Sequence, residues 1–177
     1  MVRTRVGYAG GKKEDPTYRQ MGDHTETLQV EYDLRVISYE ELLEICWNSH
    51  DPFRQIMSRQ YMNIIFVYNE EQGRMARESK ALLAQKKDDT VYTDIISSFE
   101  FYPAEDYHQK YYLQNVPALM DEFKEFYPDF QDIVDSTAAA RVNGYIGGFG
   151  DADSLSREIE DLGLSEDGAK LLQEMVK

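Results

Sequence analysis

The run from Tyr61 to Tyr68 (YMNIIFVY) constrains the fold more than any other stretch of this chain. It is apolar on both alternating sets of positions. A strand with one face in water alternates apolar and polar side chains, so a strand that is apolar on both faces is expected to be covered on both. The run therefore predicts a buried strand in a sheet that has helices packed against it.

Two helices are signalled beside that strand. Ser38 followed by Glu41 forms a capping box, which predicts a helix over Ser38–Ser49. The stretch Glu70–Lys87 begins with acidic residues and ends with lysines, which is the order that a helix dipole favours. The second stretch predicts a long helix with a polar face.

Three further segments are predicted as strands, namely Val2–Tyr8, Thr25–Tyr32 and Thr90–Phe101. In the second of these, side chains two positions apart share a face. Leu28 therefore lies on the apolar face, and the same parity places Glu26 on that face at the start of the strand.

The rest of the chain is predicted to be mainly helical. The segments concerned are Ala104–Leu113, which is helical or turn-like, and the helices Ala118–Phe126, Asp153–Leu162 and Asp167–Lys177. Strands interleaved with helices predict an α+β fold, a two-layer ferredoxin-like sandwich with helices on a mixed or antiparallel sheet. We expect a core over residues 1–113 and a helical C-terminal extension over 114–177, packed on that core.

Composition excludes several classes of partner. The chain carries 19 basic and 33 acidic side chains, a net charge of −14, which repels a nucleic acid backbone. No apolar run is long enough to span a bilayer and no signal segment opens the chain, so a membrane is not expected as a partner. The single cysteine excludes an internal disulfide and fits a reducing compartment, so we expect a cytoplasmic location. The three histidines lack the spacing of a metal site, and no metal or cofactor is predicted.

Three side chains are candidates for chemistry. Glu26 would be costly to ionise on an apolar strand face, and a neutral carboxylic acid can donate a proton to a substrate oxygen. The alternative is an ordinary solvated carboxylate at a strand end. Tyr18 and Tyr61 can donate hydrogen bonds through their phenols, although most tyrosines in a chain with 13 of them serve packing.

Two other features are not assigned a role in catalysis. Cys46 lies on an apolar helical stripe beside Trp47, where a thiol is expected to be buried and unreactive. The glycine-rich stretch from Gly144 to Gly150 has no strong strand before it, and so makes a poor phosphate-binding loop.

Several short blocks follow one another in an order that resembles the methionine sulfoxide reductase A family, and in particular an animal-type subgroup. The blocks are Arg5–Gly11 (RVGYAGG), Pro16–Tyr18, His24–Glu26, Val36–Tyr39, Trp47–Pro52, Gln60–Tyr61 and Phe101–Gln109. The resemblance covers about residues 2–113 and is looser after that. It implies a peptide-methionine (S)-S-oxide reductase that repairs oxidised methionine under oxidative stress. It also implies Glu26 as the acid for the sulfoxide oxygen, Tyr18 and Tyr61 as the phenols that hold this oxygen, and thioredoxin as the reductant. We therefore expect these three side chains to converge on one small pocket, with Glu26 partly or fully buried.

The chain departs from the family pattern at its thiols. The family attacks sulfur with a cysteine in a Gly-Cys-Phe-Trp motif, and no such motif occurs here. A second, resolving cysteine is often flanked by glycines, and Ile146 stands at the nearest matching place. We therefore expect the chain as given to lack the nucleophile and to be inactive, as an N-terminally shortened form of the enzyme. The alternatives are a non-catalytic module that binds methionine sulfoxide in peptides, or a structural remnant.

Overall fold

The computed structural model describes residues 2–176, and the chain divides into two compact units. The helical unit comprises the residues up to Val6, Leu28–Glu31 and the residues from Glu105 on. The motif unit comprises Gly7–Thr27 and Tyr32–Ala104. No helix in the described part of the chain is both long and apolar enough to cross a membrane.

The strands form two small sheets. The first contains β1 (Arg3–Ala9), β2 (Thr25–Glu31) and β5 (Phe101–Pro103) in the order β2-β1-β5. β1 pairs antiparallel with β5, and Gly7 lies opposite Pro103. The second sheet pairs β3 (Ile64–Phe66) with β4 (Asp94–Ile96) in parallel.

Within the described residues, the helical unit holds six α-helices. They are α3 (Tyr111–Gln114), α4 (Pro117–Phe126), α5 (Phe130–Asp135), α6 (Thr137–Ile146), α7 (Ala152–Glu158) and α8 (Glu166–Met175), with 3-10 turns at Asp106–His108 and Ile159–Leu162. Their apolar faces meet in one core cluster that includes Leu119, Phe123, Val142, Leu155 and Leu172. Burial of these side chains is the main source of stability for such a bundle.

The N-terminal residues of the helical unit are anchored to its helices by polar side chains. Arg5 makes two hydrogen bonds of 2.8 Å each to the Asp135 carboxylate at the end of α5. Lys110 is 5% exposed, and its ammonium donates to the carbonyl oxygens of Thr4 at 2.6 Å and Val134 at 2.7 Å. Burial lowers the pKa of Lys110 to about 8.

The motif unit contains two α-helices, α1 (Tyr39–Asn48) and α2 (Glu70–Lys87). Ser38 caps α1 through the predicted capping box, in which its hydroxyl accepts from the Glu41 N–H and Glu41 accepts from the Ser38 N–H. The buried residues Leu43, Ile65, Val67 and Ala76 join α1, β3 and α2 in a small core cluster. Cys46 and Trp47 pack against this cluster while partly exposed.

Most predicted elements are confirmed, and two predicted strands are corrected. The α+β class with a helical C-terminal region is confirmed, as are α1 and the limits of α2. The predicted strand Tyr61–Tyr68 is confirmed only over Ile64–Phe66, because Tyr61 lies in a 3-10 turn. The predicted strand Thr90–Phe101 is instead two short strands, β4 and β5, which pair in different sheets. The predicted boundary after residue 113 stays a prediction.

Two helices were missed by the sequence analysis. These are α5 and α6, which follow α4 in the chain. Gly144 lies inside α6, not in a glycine-rich loop. The alanine-rich start of that helix offsets the cost of its glycine, since alanine has the highest helix propensity.

Candidate functional site

A glycine turn and a buried histidine lie next to the start of β2 in the motif unit. The His24 ring is 1% exposed; its Nδ1 accepts from the Gly11 N–H at 3.1 Å, and its Nε2–H donates to the Lys13 carbonyl at 2.8 Å. Gly10 has a φ of +79°, which favours glycine. A Cβ on Gly11 would lie 2.6 Å from the His24 ring. Both glycines are therefore required where this turn meets β2.

Asp23 and Arg59 also hold this turn in place through hydrogen bonds to its backbone. The Asp23 carboxylate accepts from the Lys12 N–H at 2.8 Å, and this backbone hydrogen bond holds the pKa of Asp23 below its ordinary value. The Arg59 guanidinium donates to the carbonyl oxygens of Gly10 and Asp23, each at 2.7 Å. One arginine thus joins both ends of the turn to the segment that precedes Tyr61.

Glu26 contacts this same segment. The Gln60 Nε2 donates to Glu26 Oε1 at 2.7 Å, and the Thr25 hydroxyl donates to the Arg59 carbonyl at 2.8 Å. Neighbouring residues of β2 are therefore tied to neighbouring residues of the 3-10 turn Arg59–Tyr61. These bonds bring Glu26 next to Gln60, which directly precedes Tyr61 in the chain.

The prediction that Glu26 is partly or fully buried is wrong. Glu26 is exposed, as are Tyr18 (44%) and Tyr61 (57%). The prediction assumed that the face of β2 that carries Glu26 and Leu28 is covered, but Leu28 is itself 60% exposed. Strand parity identifies which residues share a face, and it does not establish what covers that face. The convergence of Tyr18, Glu26 and Tyr61 on one pocket stays a prediction.

Cys46, the single cysteine, lies on α1. Its side chain is partly buried against the small core cluster, and burial raises the pKa of its thiol. Its backbone carbonyl accepts from His50 Nδ1–H at 2.7 Å, and His50 Nε2 accepts from the Thr93 hydroxyl at 3.0 Å. The His50 ring thus joins the end of α1 to Thr93. The raised pKa of the Cys46 thiol disfavours its role as a nucleophile.

The motif unit also contains a small polar cavity of about 230 Å³. It is lined by Gln55, Ile56, Met62, Asn63, Val91, Tyr92 and Asp94. Tyr18, Glu26 and Tyr61 do not line it. Within residues 2–176, no group of three or more His, Cys, Asp or Glu side chains is placed to hold a metal ion.

The chemistry available at this site is hydrogen-bond donation and acceptance. Glu26 Oε1 accepts from Gln60, which leaves Oε2 for a second partner; when protonated, that oxygen can donate to a substrate oxygen. The exposed phenols of Tyr18 and Tyr61 can donate as well. The parts played by His24, Arg59 and Gln60 were not predicted from the sequence, although each of them is adjacent or close in sequence to a predicted site residue.

Comparison with known proteins identifies the family. The pattern described as "Peptide methionine sulfoxide reductase" matches residues 1–136, and that described as "Selenoprotein methionine sulfoxide reductase A, helical domain" matches residues 131–177. The chain is 41% identical over 167 residues to the peptide methionine sulfoxide reductase of Drosophila melanogaster, covering 93% of this chain and 67% of that protein. It is 41% identical over 152 residues to peptide methionine sulfoxide reductase A5 of Oryza sativa subsp. japonica, covering 82% of this chain and 59% of that protein.

Solved structures agree with this assignment. The methionine sulfoxide reductase A of Corynebacterium diphtheriae superposes with a TM-score of 0.56 at 29% identity, covering 66% of this chain and 64% of that one. The chain thus spans about three fifths to two thirds of the lengths of these relatives. The match over residues 1–136 and the identity to the fly protein show that the chain belongs to the peptide methionine sulfoxide reductase family.

Proposed function

We propose that this member of the peptide methionine sulfoxide reductase family contributes the oxygen-binding half of a peptide-methionine (S)-S-oxide reductase site. The observation that carries the proposal is the hydrogen bond from Gln60 to Glu26, which ties the acid to the segment that bears Tyr61. In this proposal Glu26 Oε2–H donates to the sulfoxide oxygen, and the phenols of Tyr18 and Tyr61 hold the same oxygen. The fixed turn at Gly10 and Gly11 orients the start of β2 and therefore Glu26.

The proposed reaction needs a thiol besides these groups. A thiolate attacks the sulfoxide sulfur while Glu26 protonates the oxygen, which gives methionine and a sulfenic acid on the attacking sulfur. A second thiol then condenses with the sulfenic acid, water leaves, and the resulting disulfide is reduced by a dithiol such as that of thioredoxin. Cys46 is ill suited as the nucleophile, because its thiol is partly buried and its pKa is raised. We therefore propose that these 177 residues alone bind the sulfoxide without reducing it.

The biological setting forms part of the same proposal. The substrate would be methionine S-sulfoxide in proteins or as the free amino acid, and the role would be protein repair under oxidative stress. One cysteine and a net charge of −14 fit a protein of a reducing, cytoplasmic compartment with no part in nucleic acid or membrane binding.

Binding of a methionine sulfoxide tests the proposal directly. An N-acetylmethionine S-sulfoxide amide is titrated into the chain and followed by amide chemical shifts. The variants Glu26→Ala and Tyr61→Phe are expected to weaken binding about tenfold each, because each removes a donor to the sulfoxide oxygen. Glu44→Ala on the exposed face of α1 is the matched control and should leave binding unchanged. Equal binding by all three variants would refute the assigned site.

Turnover is measured separately with dithiothreitol as the reductant. The chain is expected to produce no methionine above a blank without protein. Methionine production that is lost in Glu26→Gln and kept in Cys46→Ser would refute the claim of inactivity while supporting the acid role of Glu26.

A further inference from the structure

An apolar cavity of about 360 Å³ opens in the helical unit beside the C-terminal end of α4. It is lined by Glu122, Phe123, Phe126, Tyr127, Ala138, Leu162, Gly163 and Leu164. This volume is within the range of roughly 300–1,000 Å³ that is usual for ligand pockets. Neither Glu26, Tyr18 nor Tyr61 belongs to this set, so the cavity is a feature apart from the proposed reductase site.

The cavity has a buried floor and an exposed rim. Phe123 and Leu162 are buried members of the main core cluster and form the floor. Phe126, one turn further along α4, is 67% exposed at the rim. An exposed phenylalanine that borders an apolar cavity is typical of an interaction surface, because its burial by a partner removes apolar area from water.

The one carboxylate in the lining is already occupied within the fold. Glu122 accepts from the Ser165 N–H at 2.8 Å and from the Ser165 hydroxyl at 2.7 Å, beside the start of α8. Ser165 itself caps α8 by accepting from the Gly168 N–H. Glu122 therefore links α4 to the start of α8. The surface that the cavity offers to a ligand is apolar.

The charge around the cavity decides which kind of partner fits. Residues 117–177 carry 14 acidic and 5 basic side chains, a net of −9 out of −14 for the whole chain. The exposed acids Glu125 and Asp161 directly precede the lining residues Phe126 and Leu162. A second copy of this chain or an anionic lipid surface would bring like charge to the cavity, whereas a cationic segment would be attracted.

We infer that this cavity is a docking groove for a segment of a partner protein in which an apolar side chain is flanked by lysine or arginine. The apolar side chain enters between Phe126 and Leu164, and its cationic neighbours lie in the field of the surrounding acids. This interaction is additional to sulfoxide binding, since it uses residues of the helical unit alone.

Synthetic peptides test the inference with the whole chain. The probe is a fluorescein-labelled peptide of alternating leucine and lysine with a central phenylalanine, followed by fluorescence anisotropy. One matched peptide has glutamate in place of every lysine, and another has serine in place of every leucine and the phenylalanine. We expect each matched peptide to bind at least about tenfold more weakly than the probe. Added salt is expected to weaken binding of the probe.

Variants of the groove locate the binding. Phe126→Ala removes the exposed side chain at the rim, and Ala138→Leu fills the cavity. Each variant is expected to bind the probe about tenfold more weakly. Phe149→Ala removes a 79% exposed aromatic side chain elsewhere in the same unit and should leave binding unchanged. Circular dichroism melts show whether each variant is folded. If Ala138→Leu does not fold, the result for Phe126→Ala alone decides the test. Equal binding of the glutamate peptide, or probe binding that Phe126→Ala leaves unchanged, would overturn the inference.

Discussion

The helical unit and the motif unit are stabilised in different ways. In the helical unit twelve buried residues form one apolar core cluster, whereas the cluster of the motif unit has four buried members within the described part of the chain. The motif unit relies more on polar bonds to its backbone, such as those of His24, Arg59 and Thr25. The proposed site lies in the unit with the smaller core.

The difference has a consequence for function. Apolar packing is insensitive to direction, whereas hydrogen bonds to backbone carbonyls and N–H groups fix the orientation of a turn. The glycine turn and the start of β2 are held by such bonds at Gly11, Lys13 and Gly10. A site that must orient an acid towards a small oxygen is better built from bonds of this kind than from a larger core.

The largest expected effect is the loss of a core side chain in the helical unit. Leu172→Ala removes a fully buried side chain of α8 and should lower the free energy of unfolding by about 2–5 kcal/mol. Leu82→Ala, which removes a 66% exposed side chain of α2, is the control and should change it by less than about 0.5 kcal/mol. Urea unfolding followed by circular dichroism measures both. Equal losses in the two variants would contradict the assignment of the main core.

Lys110 gives an effect of up to about 3 kcal/mol that depends on pH. The pKa of Lys110 is lowered by burial from 10.5 to about 8, so the unfolded chain binds more protons than the folded one between these values. Stability must therefore rise with pH across this window, and the penalty of burying the charged ammonium is fully present below pH 8. Relative to Lys110→Met, the native chain should gain about 1–3 kcal/mol over the window.

The control for this experiment is Lys86→Met in the last turn of α2, where the lysine is exposed. The difference in unfolding free energy between that variant and the native chain should stay flat with pH. Parallel pH profiles for both lysine variants would show that the buried ammonium of Lys110 keeps its ordinary affinity for protons.

A variant of His24 tests whether the motif unit depends on polar side chains that bond its backbone. His24→Ala leaves the Gly11 N–H and the Lys13 carbonyl without their partner and should cost about 2–3 kcal/mol of stability. The exchange of the Gly11 amide with solvent should accelerate, and sulfoxide binding should weaken because β2 loses its fixed start. Arg19→Ala, at an exposed position in the same loop, should change none of these quantities. Unchanged amide exchange in His24→Ala would contradict the proposed role of the ring.

The sequence predicted best those elements whose signals are local. The capping box of α1 and the terminal charges of α2 located both helices, because caps and dipole interactions act within one turn. The candidate site was inferred from ordered motif blocks and stays a prediction; the hydrogen bond from Gln60 to Glu26 joins two of these blocks. The family itself was recognised from the same blocks.

Features that depend on distant contacts were predicted poorly. The burial of Glu26 was inferred from strand parity, yet the exposed Leu28 shows that this face of β2 is open. The pairing of β4 and β5 in different sheets depends on their partners, β3 and β1, which lie far from Thr90–Phe101 in the chain. α6 was missed because Gly144 indicates a loop locally, whereas the packing of Val142 and Tyr145 into the core favours the helix.

The smallest expected effect concerns Cys46, which is predicted to be a buried and catalytically irrelevant thiol. Because Cys46 packs against the small core cluster, it tests whether the core of the motif unit is separate from the proposed site. Burial raises the pKa of this thiol, so its thiolate fraction near neutral pH is below that of a free cysteine. Labelling of the native chain with a thiol reagent should be slow and should approach the rate of a free cysteine after unfolding in urea. Cys46→Ser should bind methionine sulfoxide as tightly as the native chain, because the thiol packs against the small core cluster of α1, β3 and α2. Rapid labelling of the folded chain, together with loss of sulfoxide binding in Cys46→Ser, would place the thiol at the site and reverse this conclusion.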